Sequence, residues 1–180
     1  MLKQLPVLLT AGLLTASAPT VAPAEAPTPI AEVPCPGCTA KEQRTIAFLN
    51  ANGITDANAQ AVFLGTIKQE SRWNESVCEG GATTPYERCT RGGWGLIQWT
   101  YASRYAGLKR YAKSVGTTPE CFDTQLAYIL TEPEWKKVEH VFKTEGLPLW
   151  QYEQAEYQWI GWGIKGKRAQ YTREYIQQIA

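Results

Sequence analysis

The sequence is poor in histidine, the side chain that most often binds metals and acts as a general base. Its one imidazole, His140, is distant in sequence from the cysteines, and zinc sites need several such ligands close together. We therefore predict no metal and no cofactor. A cysteine peptidase needs a Cys and His pair. It is also disfavoured, because His140 lies off the helix face formed by Trp135, Val138 and Phe142 and is expected at the surface.

The chain also lacks an excess of charge of either sign. Its 18 basic and 17 acidic residues leave a net charge of +1 without a basic cluster, so nothing indicates a nucleic-acid partner. With 44% hydrophobic and 19% charged residues, it is neither a disordered chain nor a polytopic membrane protein. A length of 180 residues suits one compact domain with an appendage, and we expect a monomer.

The N-terminus has the pattern of a secretory signal peptide. A short positive start, residues 1–3, is followed by an uncharged apolar stretch from Leu5 to Ala16 and by Ala-x-Ala triplets. The apolar stretch is too short to span a bilayer comfortably. We predict a signal peptide over residues 1–24 that is cleaved after Ala24, no stable membrane span afterwards, and a secreted or periplasmic protein. The alternative is an uncleaved anchor or a virion segment.

Proline-rich sequence separates this signal from the folded part of the chain. Residues 25–38 have a linker composition that cannot pack a core. A capping-box pattern over residues 39–42 marks the start of a domain that covers residues 39–180. Apolar periodicity and turn signals predict six helices. Four have both ends predicted: 40–51, Thr55 or Asp56 to about Ser71, 101–112 and 168–179. Two more are predicted to begin at Thr118-Pro119 and at Pro133. No convincing alternating strand occurs, so we expect a mainly α fold.

Five cysteines indicate an oxidising compartment. Cys78 and Cys89 lie within a glycine-rich stretch, residues 73–94, and a loop of this length inside a compact domain is usually functional. We predict a Cys78–Cys89 disulfide that pins this loop or small hairpin. Cys35 and Cys38 form a Cys-Pro-Gly-Cys unit without a preceding strand, so a thioredoxin-like redox site is not favoured. The odd count leaves one thiol free or paired between chains, and the pairing of the remaining cysteines stays open.

The second predicted helix carries a carboxyl group on its apolar face. Phe63 and Ile67 lie four residues apart on this face, and Glu70 and Asn74 continue it as the helix ends. Partial burial disfavours the charged form of a carboxyl group, and a carboxyl group that stays protonated near neutral pH can donate to a glycosidic oxygen. Glu70 is therefore a candidate general acid. The alternative is a solvated glutamate at a frayed helix end.

An ordered set of motifs begins at Glu70 and continues along the sequence. Glu70-Ser71 is followed by Gly95-Leu96-Ile97-Gln98 and then by Ala127-Tyr128, an order that is typical of lysozyme-like lytic transglycosylases. The chain resembles the phage tail lysozyme family over roughly residues 40–178. The residues that carry this resemblance are 69–74, Gly95-Leu96-Ile97-Gln98-Trp99-Thr100, Arg104, Ala155, Trp159, Gly163, Arg168 and Tyr171. The resemblance implies a lysozyme-like helical fold, peptidoglycan as substrate and Glu70 in the catalytic position.

Four further residues are candidates for substrate binding. Ser71 could hold the Glu70 side chain by a hydrogen bond, or cap the helix. Gln98 can donate to and accept from sugar hydroxyl and N-acetyl groups, or tie the loop to a helix as a buried amide. Tyr128 could direct its hydroxyl group at Glu70 or at a sugar, or pack in the core. Trp94 is a candidate platform for a sugar ring, with a tryptophan-rich core as the alternative.

The sequence offers no firm second carboxyl group. A two-carboxylate hydrolase needs another Asp or Glu across the cleft. Among the loop acids Glu75, Glu79 and Glu87, we prefer Glu79, which is flanked by Cys78 and Gly80. A lytic transglycosylase needs none, because a substrate hydroxyl attacks and forms an anhydro sugar. We therefore predict glycan-strand cleavage of peptidoglycan by a muramidase or a lytic transglycosylase. A catalytically inactive wall-binding or virion module with the same fold is the alternative.

Overall fold

Eight α-helices make up the domain in the computed structural model, which describes residues 35–90 and 92–179. Within these two ranges no regular β-strand is present, and residues 86–88 form a short 3₁₀ helix. The helices are α1 (Ala40–Ala51), α2 (Ala57–Ser71), α3 (Ala102–Ser114), α4 (Phe122–Ile129), α5 (Pro133–Lys136), α6 (Glu139–Phe142), α7 (Leu149–Ile160) and α8 (Arg168–Ile179). The expected mainly α fold is confirmed.

The first two helices begin and end where local signals indicate. Thr39 and Glu42 form the predicted capping box: the Thr39 hydroxyl accepts from the Glu42 N–H, and the Glu42 carboxylate accepts from the Thr39 N–H at 2.6 Å. Asp56 caps α2 by accepting from backbone N–H groups of the first turn. At the other end of α2, Arg72 adopts the left-handed conformation with φ 50°. Glu70 therefore lies in the last turn of α2.

The predicted start of α4 is wrong. Thr118-Pro119 begins a turn, in which the Cys121 N–H donates to the Thr118 carbonyl oxygen at 3.1 Å, and the helix begins only at Phe122. Proline suits the first position of a helix and also the second position of a β-turn, so its presence did not decide between the two. At Pro133 the same signal is correct, since this residue is the first of α5.

Helix α2 is the most buried helix, and it packs against α8 and α7. Gly65 permits the close approach of α8, because a Cβ atom at this position would lie 2.8 Å from the Thr172 Oγ1 atom. Towards α7, Phe63 stacks on Trp159 with a centroid distance of 5.2 Å, and it meets Trp135 edge-on at 5.5 Å. The C-terminal end of α2 is consequently held against the N-terminal end of α8.

The segment between α2 and α3 is a long loop, described over residues 72–90 and 92–101 and stabilised by scattered backbone hydrogen bonds. It contains two isolated antiparallel bridges, one of which joins Cys78 to Trp94. The Cys78–Cys89 disulfide closes the middle of this loop. The expectation of a long, disulfide-pinned loop is confirmed.

The N-terminal predictions fall largely beyond the described residues, because the signal peptide and most of the linker occupy residues 1–34. Cys35 and Cys38 are bonded to each other, and Cys38 contacts Gln178 of α8. Cys121 carries a free thiol. No helix in the described part of the chain is long and apolar enough to cross a membrane.

Candidate active site

A cleft of about 1020 Å³ opens beside the C-terminal end of α2. Its walls are the last turn of α2, the loop between α2 and α3, and the segment between α7 and α8, which we call the third wall (residues 161–167). The lining includes Gln69, Glu70, Ser71, Glu79, Gly93, Ile97, Gln98, Tyr101, Trp162, Ile164 and Arg168. This volume is at the upper end of the range for small-molecule sites, about 300–1,000 Å³.

Glu70 is the acidic residue of the α2 wall. Its side chain is 13% exposed, and its carboxylate contacts the Nη2 atom of Arg168, the first residue of α8. The Arg168 side chain is 4% exposed. Its Nη1 atom donates to the carbonyl oxygens of Ile164 at 3.0 Å and Lys165 at 2.8 Å. Arg168 therefore links the candidate acid to the third wall of the cleft.

Further contacts hold the third wall against α2. The Trp162 ring lies over the Arg168 guanidinium, 4.5 Å from the ring centroid. The Gln69 side chain accepts from the Lys167 N–H at 2.7 Å. Gly166 has φ 60°, and a Cβ atom there would lie 2.7 Å from the Gln69 side chain. This position favours glycine, because side chains rarely adopt this backbone conformation and a Cβ atom would displace the Gln69 side chain.

A second carboxyl group, that of Glu156 on α7, also contacts Arg168. Glu156 is 2% exposed, it bonds to the Thr66 hydroxyl, and its Oε1 atom lies 3.4 Å from the Arg168 Nε atom. Burial raises the pKa of Glu156 to about 8, although the Thr66 hydrogen bond acts in the opposite direction. Burial also lowers the pKa of Arg168 to about 10. One guanidinium thus contacts two carboxyl groups.

Glu79 is the loop acid that lines the cleft. Its side chain is exposed, its carboxylate accepts from the Gly93 N–H at 3.1 Å, and its own N–H donates to the Gly93 carbonyl oxygen at 2.8 Å. Glu75 and Glu87 form ion pairs with lysine side chains instead, at 2.5 and 3.3 Å. Glu79 therefore remains the candidate partner of Glu70.

Ser71 and Gln98 both line the cleft, and both also bond to backbone carbonyl groups. The Ser71 hydroxyl donates to the Ile67 carbonyl oxygen at 3.1 Å within α2. The Gln98 amide nitrogen donates to the carbonyl oxygens of Gly95 at 2.9 Å and Val77 at 3.2 Å. Gln98 thus ties the loop to itself rather than to a helix, while its side chain stays half-buried beside the cleft.

Trp94 and Tyr128 lie in the core, which corrects two expectations. Trp94 is 0% exposed, and its indole N–H donates to the Thr84 carbonyl oxygen at 2.7 Å. A ring without exposed surface offers no face to a sugar. The Tyr128 hydroxyl donates to the Arg104 carbonyl oxygen at 2.9 Å instead of facing Glu70 or a sugar. Burial raises the pKa of Tyr128 to about 12.

Sequence reasoning missed the exposed rings and apolar side chains at the rim of the cleft. Tyr101 is 72% exposed and Ile164 is 84% exposed, and both line the cleft together with the half-buried Trp162. Tyr101 was expected inside the helix that the sequence predicts along residues 101–112. It is instead the cap residue that precedes α3, and a residue just outside a helix does not follow the periodicity of that helix.

Within the described residues the domain is all-helical, and a glutamate at the end of a helix lines its cleft. The phage tail lysozyme family matches residues 40–162, more than half of the chain. The chain belongs to this family, and membership indicates a peptidoglycan-degrading, lysozyme-like enzyme. The match ends before α8, so Arg168 lies beyond it. No curated protein and no solved structure matches the chain.

The Cys78–Cys89 disulfide is expected to contribute measurably to stability. Replacing both cysteines by serine should lower the free energy of unfolding by about 2–3 kcal/mol, because the bond restricts the unfolded chain. Thermal unfolding measures the loss. Cys121→Ser is the matched control, since this thiol forms no disulfide. Free thiols at Cys78 and Cys89 in non-reducing peptide mapping, or a double variant as stable as the control, would contradict the expectation.

Proposed function

We propose that this protein cleaves the glycan strand of peptidoglycan and that Glu70 is its general acid. The observation that carries the proposal is the position of Glu70 in the last turn of α2, with 13% of its side chain exposed and the carboxyl group beside a cleft of about 1020 Å³. The end of a packed helix supports the side chain rigidly, as proton donation to a bound substrate requires.

Because Glu70 contacts Arg168, it can act as an acid only where the neutral form of its carboxyl group is favoured. A neighbouring guanidinium favours the ionised form of a carboxyl group, whereas exclusion of water favours the neutral form. A glycan strand that fills the cleft excludes water from Glu70. Protonated Glu70 then donates its proton to the glycosidic oxygen.

The rim of the cleft suits a sugar polymer. Tyr101 and Trp162 present rings that combine an apolar face with a polar group, and the faces of sugar rings have a matching character. Gln98 and Ser71 also line the cleft and supply polar groups for sugar hydroxyl and N-acetyl groups. These side chains take the place that sequence reasoning gave to Trp94.

We favour hydrolysis with Glu79 as a base that activates water, over a covalent intermediate. The Glu79 side chain is exposed on a loop, and its carboxylate is bonded to the backbone N–H of Gly93. A nucleophile has to be held within a fraction of an ångström by rigid support, whereas a base that acts through a water molecule tolerates more movement. A lytic transglycosylase, with Glu70 as the sole carboxyl group, is the second possibility.

Glu79→Gln separates these mechanisms. We expect it to lower kcat by about a hundredfold, the usual scale for a catalytic base. Glu75→Gln and Glu87→Gln are the matched controls and should retain activity, since both carboxylates pair with lysines. Full activity of Glu79→Gln with anhydro ends in the products would identify a lytic transglycosylase. A trapped covalent glycosyl-enzyme would contradict hydrolysis by a water molecule that Glu79 activates.

Digestion of purified peptidoglycan tests the proposed function itself. Turbidity clearing reports activity, and mass spectrometry of the fragments reports which bond is broken and how the new end is formed. Cleavage between glycan sugars is expected. Binding without clearing would instead support a catalytically inactive wall-binding or virion module. Action on peptidoglycan fits an exported or virion-associated protein, and the signal peptide remains a prediction.

A further inference from the structure

Three charged groups meet beside the cleft with unequal numbers of each sign. Arg168 supplies one positive charge, and Glu70 and Glu156 supply two negative charges if both are ionised. The side chains of all three are at most 13% exposed. An uncompensated buried negative charge is strongly disfavoured. The arrangement is therefore most stable when one of the two carboxyl groups carries a proton.

The hydrogen bonds of Thr66 are compatible with a proton on Glu156. The Thr66 hydroxyl is 2.8 Å from the Val62 carbonyl oxygen, and it also bonds to the Glu156 carboxyl group. A hydroxyl group has one proton to donate, and a carbonyl oxygen can only accept. When Thr66 donates to Val62, the second bond needs a proton from Glu156, which is then neutral. Glu70 is in that case the ionised partner of Arg168.

Arg168 faces Glu156 with an unused donor. Its Nε atom is buried and has no hydrogen-bond partner within the described residues, although it lies 3.4 Å from the Oε1 atom of Glu156. Buried donors are rarely left unsatisfied. An ionised Glu156 would accept this hydrogen bond after a small rotation of its side chain. Arg168 can thus have Glu156 as its counter-ion as well as Glu70.

We propose that Glu156 is a positioning residue: it becomes the counter-ion of Arg168 when Glu70 is protonated for catalysis. This inference rests on the proposed function of Glu70. One proton leaves Glu156 to water and one proton from water binds Glu70, while the guanidinium keeps its charge. The total charge of the three groups is therefore unchanged, and Glu70 can be neutral without leaving Arg168 unpaired. Glu156 acts through Arg168 and does not touch the substrate.

The remaining groups around Glu156 are consistent with this exchange. Helix α2 contributes the neutral Thr66 and α8 contributes Arg168, while Glu153 on α7 and Lys165 in the third wall act at longer range. Glu153 raises the pKa of Glu156 and Lys165 lowers it, but burial has the largest effect and brings it to about 8. A Glu156 that carries the shared proton therefore keeps it at neutral pH.

The test is the pH profile of kcat/KM for Glu156→Gln on purified peptidoglycan. Glutamine cannot become a counter-ion, so protonation of Glu70 would leave Arg168 unpaired. We expect the alkaline limb to move to lower pH by about one unit or more, with activity near neutral pH falling about tenfold and recovering at acid pH. If Glu156 serves only in packing, kcat/KM should fall equally at every pH and the alkaline limb should not move. That result would overturn the proposal.

Glu174→Gln is the matched control. It removes a carboxylate from α8 that pairs with Lys68 at 3.0 Å and not with Arg168. The alkaline limb of this variant should stay where it is in the wild type. If both variants move the limb equally, the shift reflects general electrostatics and the specific role of Glu156 is refuted.

A second measurement uses the wild-type protein and does not depend on the folding of a variant. Carboxyl ¹³C NMR should show Glu70 and Glu156 each titrating in two steps, as two groups that share one proton do. Independent single-step curves would overturn the proposal. If Glu70→Gln stays active, the proposed function fails; if it is inactive but Glu156→Gln leaves the limb in place, only the role of Glu156 fails.

Discussion

Replacement of Glu70 by glutamine is expected to lower kcat for glycan cleavage by at least about a hundredfold, the usual scale for one general acid. Glutamine keeps the shape of the side chain, and its amide oxygen can still accept a hydrogen bond from Arg168. It cannot release a proton to the glycosidic oxygen. Because Glu70 lies at the end of α2 and is not part of the central apolar packing, the fold should be unchanged.

Turbidity clearing of peptidoglycan measures the loss, with circular dichroism as the check on folding. Glu87→Gln is the control, since it removes an exposed acid that pairs with Lys109 and does not line the cleft. We expect this control to retain wild-type activity. Near-normal activity of folded Glu70→Gln would refute the assignment of the general acid.

Replacement of Glu132 by alanine is expected to lower the free energy of unfolding by about 3–5 kcal/mol, the usual result of breaking a buried ion pair. Glu132 is 0% exposed. Its carboxylate accepts from the Trp99 indole N–H at 2.9 Å and from two nitrogens of Arg104 at 2.9 and 2.8 Å. Alanine leaves a guanidinium that is 12% exposed without its main counter-ion. It also leaves a buried indole N–H without an acceptor.

Thermal unfolding should show this loss as a fall in Tm on the order of 10 °C for a domain of this size. Glu134→Ala is the matched control. Its carboxylate lies 4.0 Å from the Arg104 Nε atom and is 35% exposed, so its removal should cost less than about 1 kcal/mol. If Glu132→Ala unfolds at the same temperature as Glu134→Ala, the buried ion pair does not stabilise the domain as proposed.

Signals within single helices were sufficient to predict much of the scaffold. The Thr39 capping box and the Asp56 cap each lie within one turn of the helix that they begin, so the local segment specifies them. Spacing along α2 identifies Glu70 for the same reason. The same spacing applies to Glu156, which lies four residues after the buried Tyr152 on α7. A search for acidic residues on every apolar stripe would have identified it.

Local signals were insufficient where one residue fits two conformations or where burial depends on remote partners. Pro119 suits both a helix start and a turn, and it lies in a turn. Trp94 packs edge-on against Tyr86 and Tyr105 with centroid distances of 6.1 and 5.6 Å. Tyr86 lies in the same loop and Tyr105 lies on α3, and no pattern around Trp94 indicates that these rings cover it.

The sequence by itself determined the helical class, the helix that carries Glu70 and the disulfide that closes the loop, because each depends on short-range spacing. Only the tertiary structure decided which charges surround Glu70. Arg168 lies 98 residues away in sequence and reaches Glu70 because Gly65 lets α8 approach α2 closely. Charge interactions and desolvation depend on distances between side chains, and those distances exist only once the helices have packed.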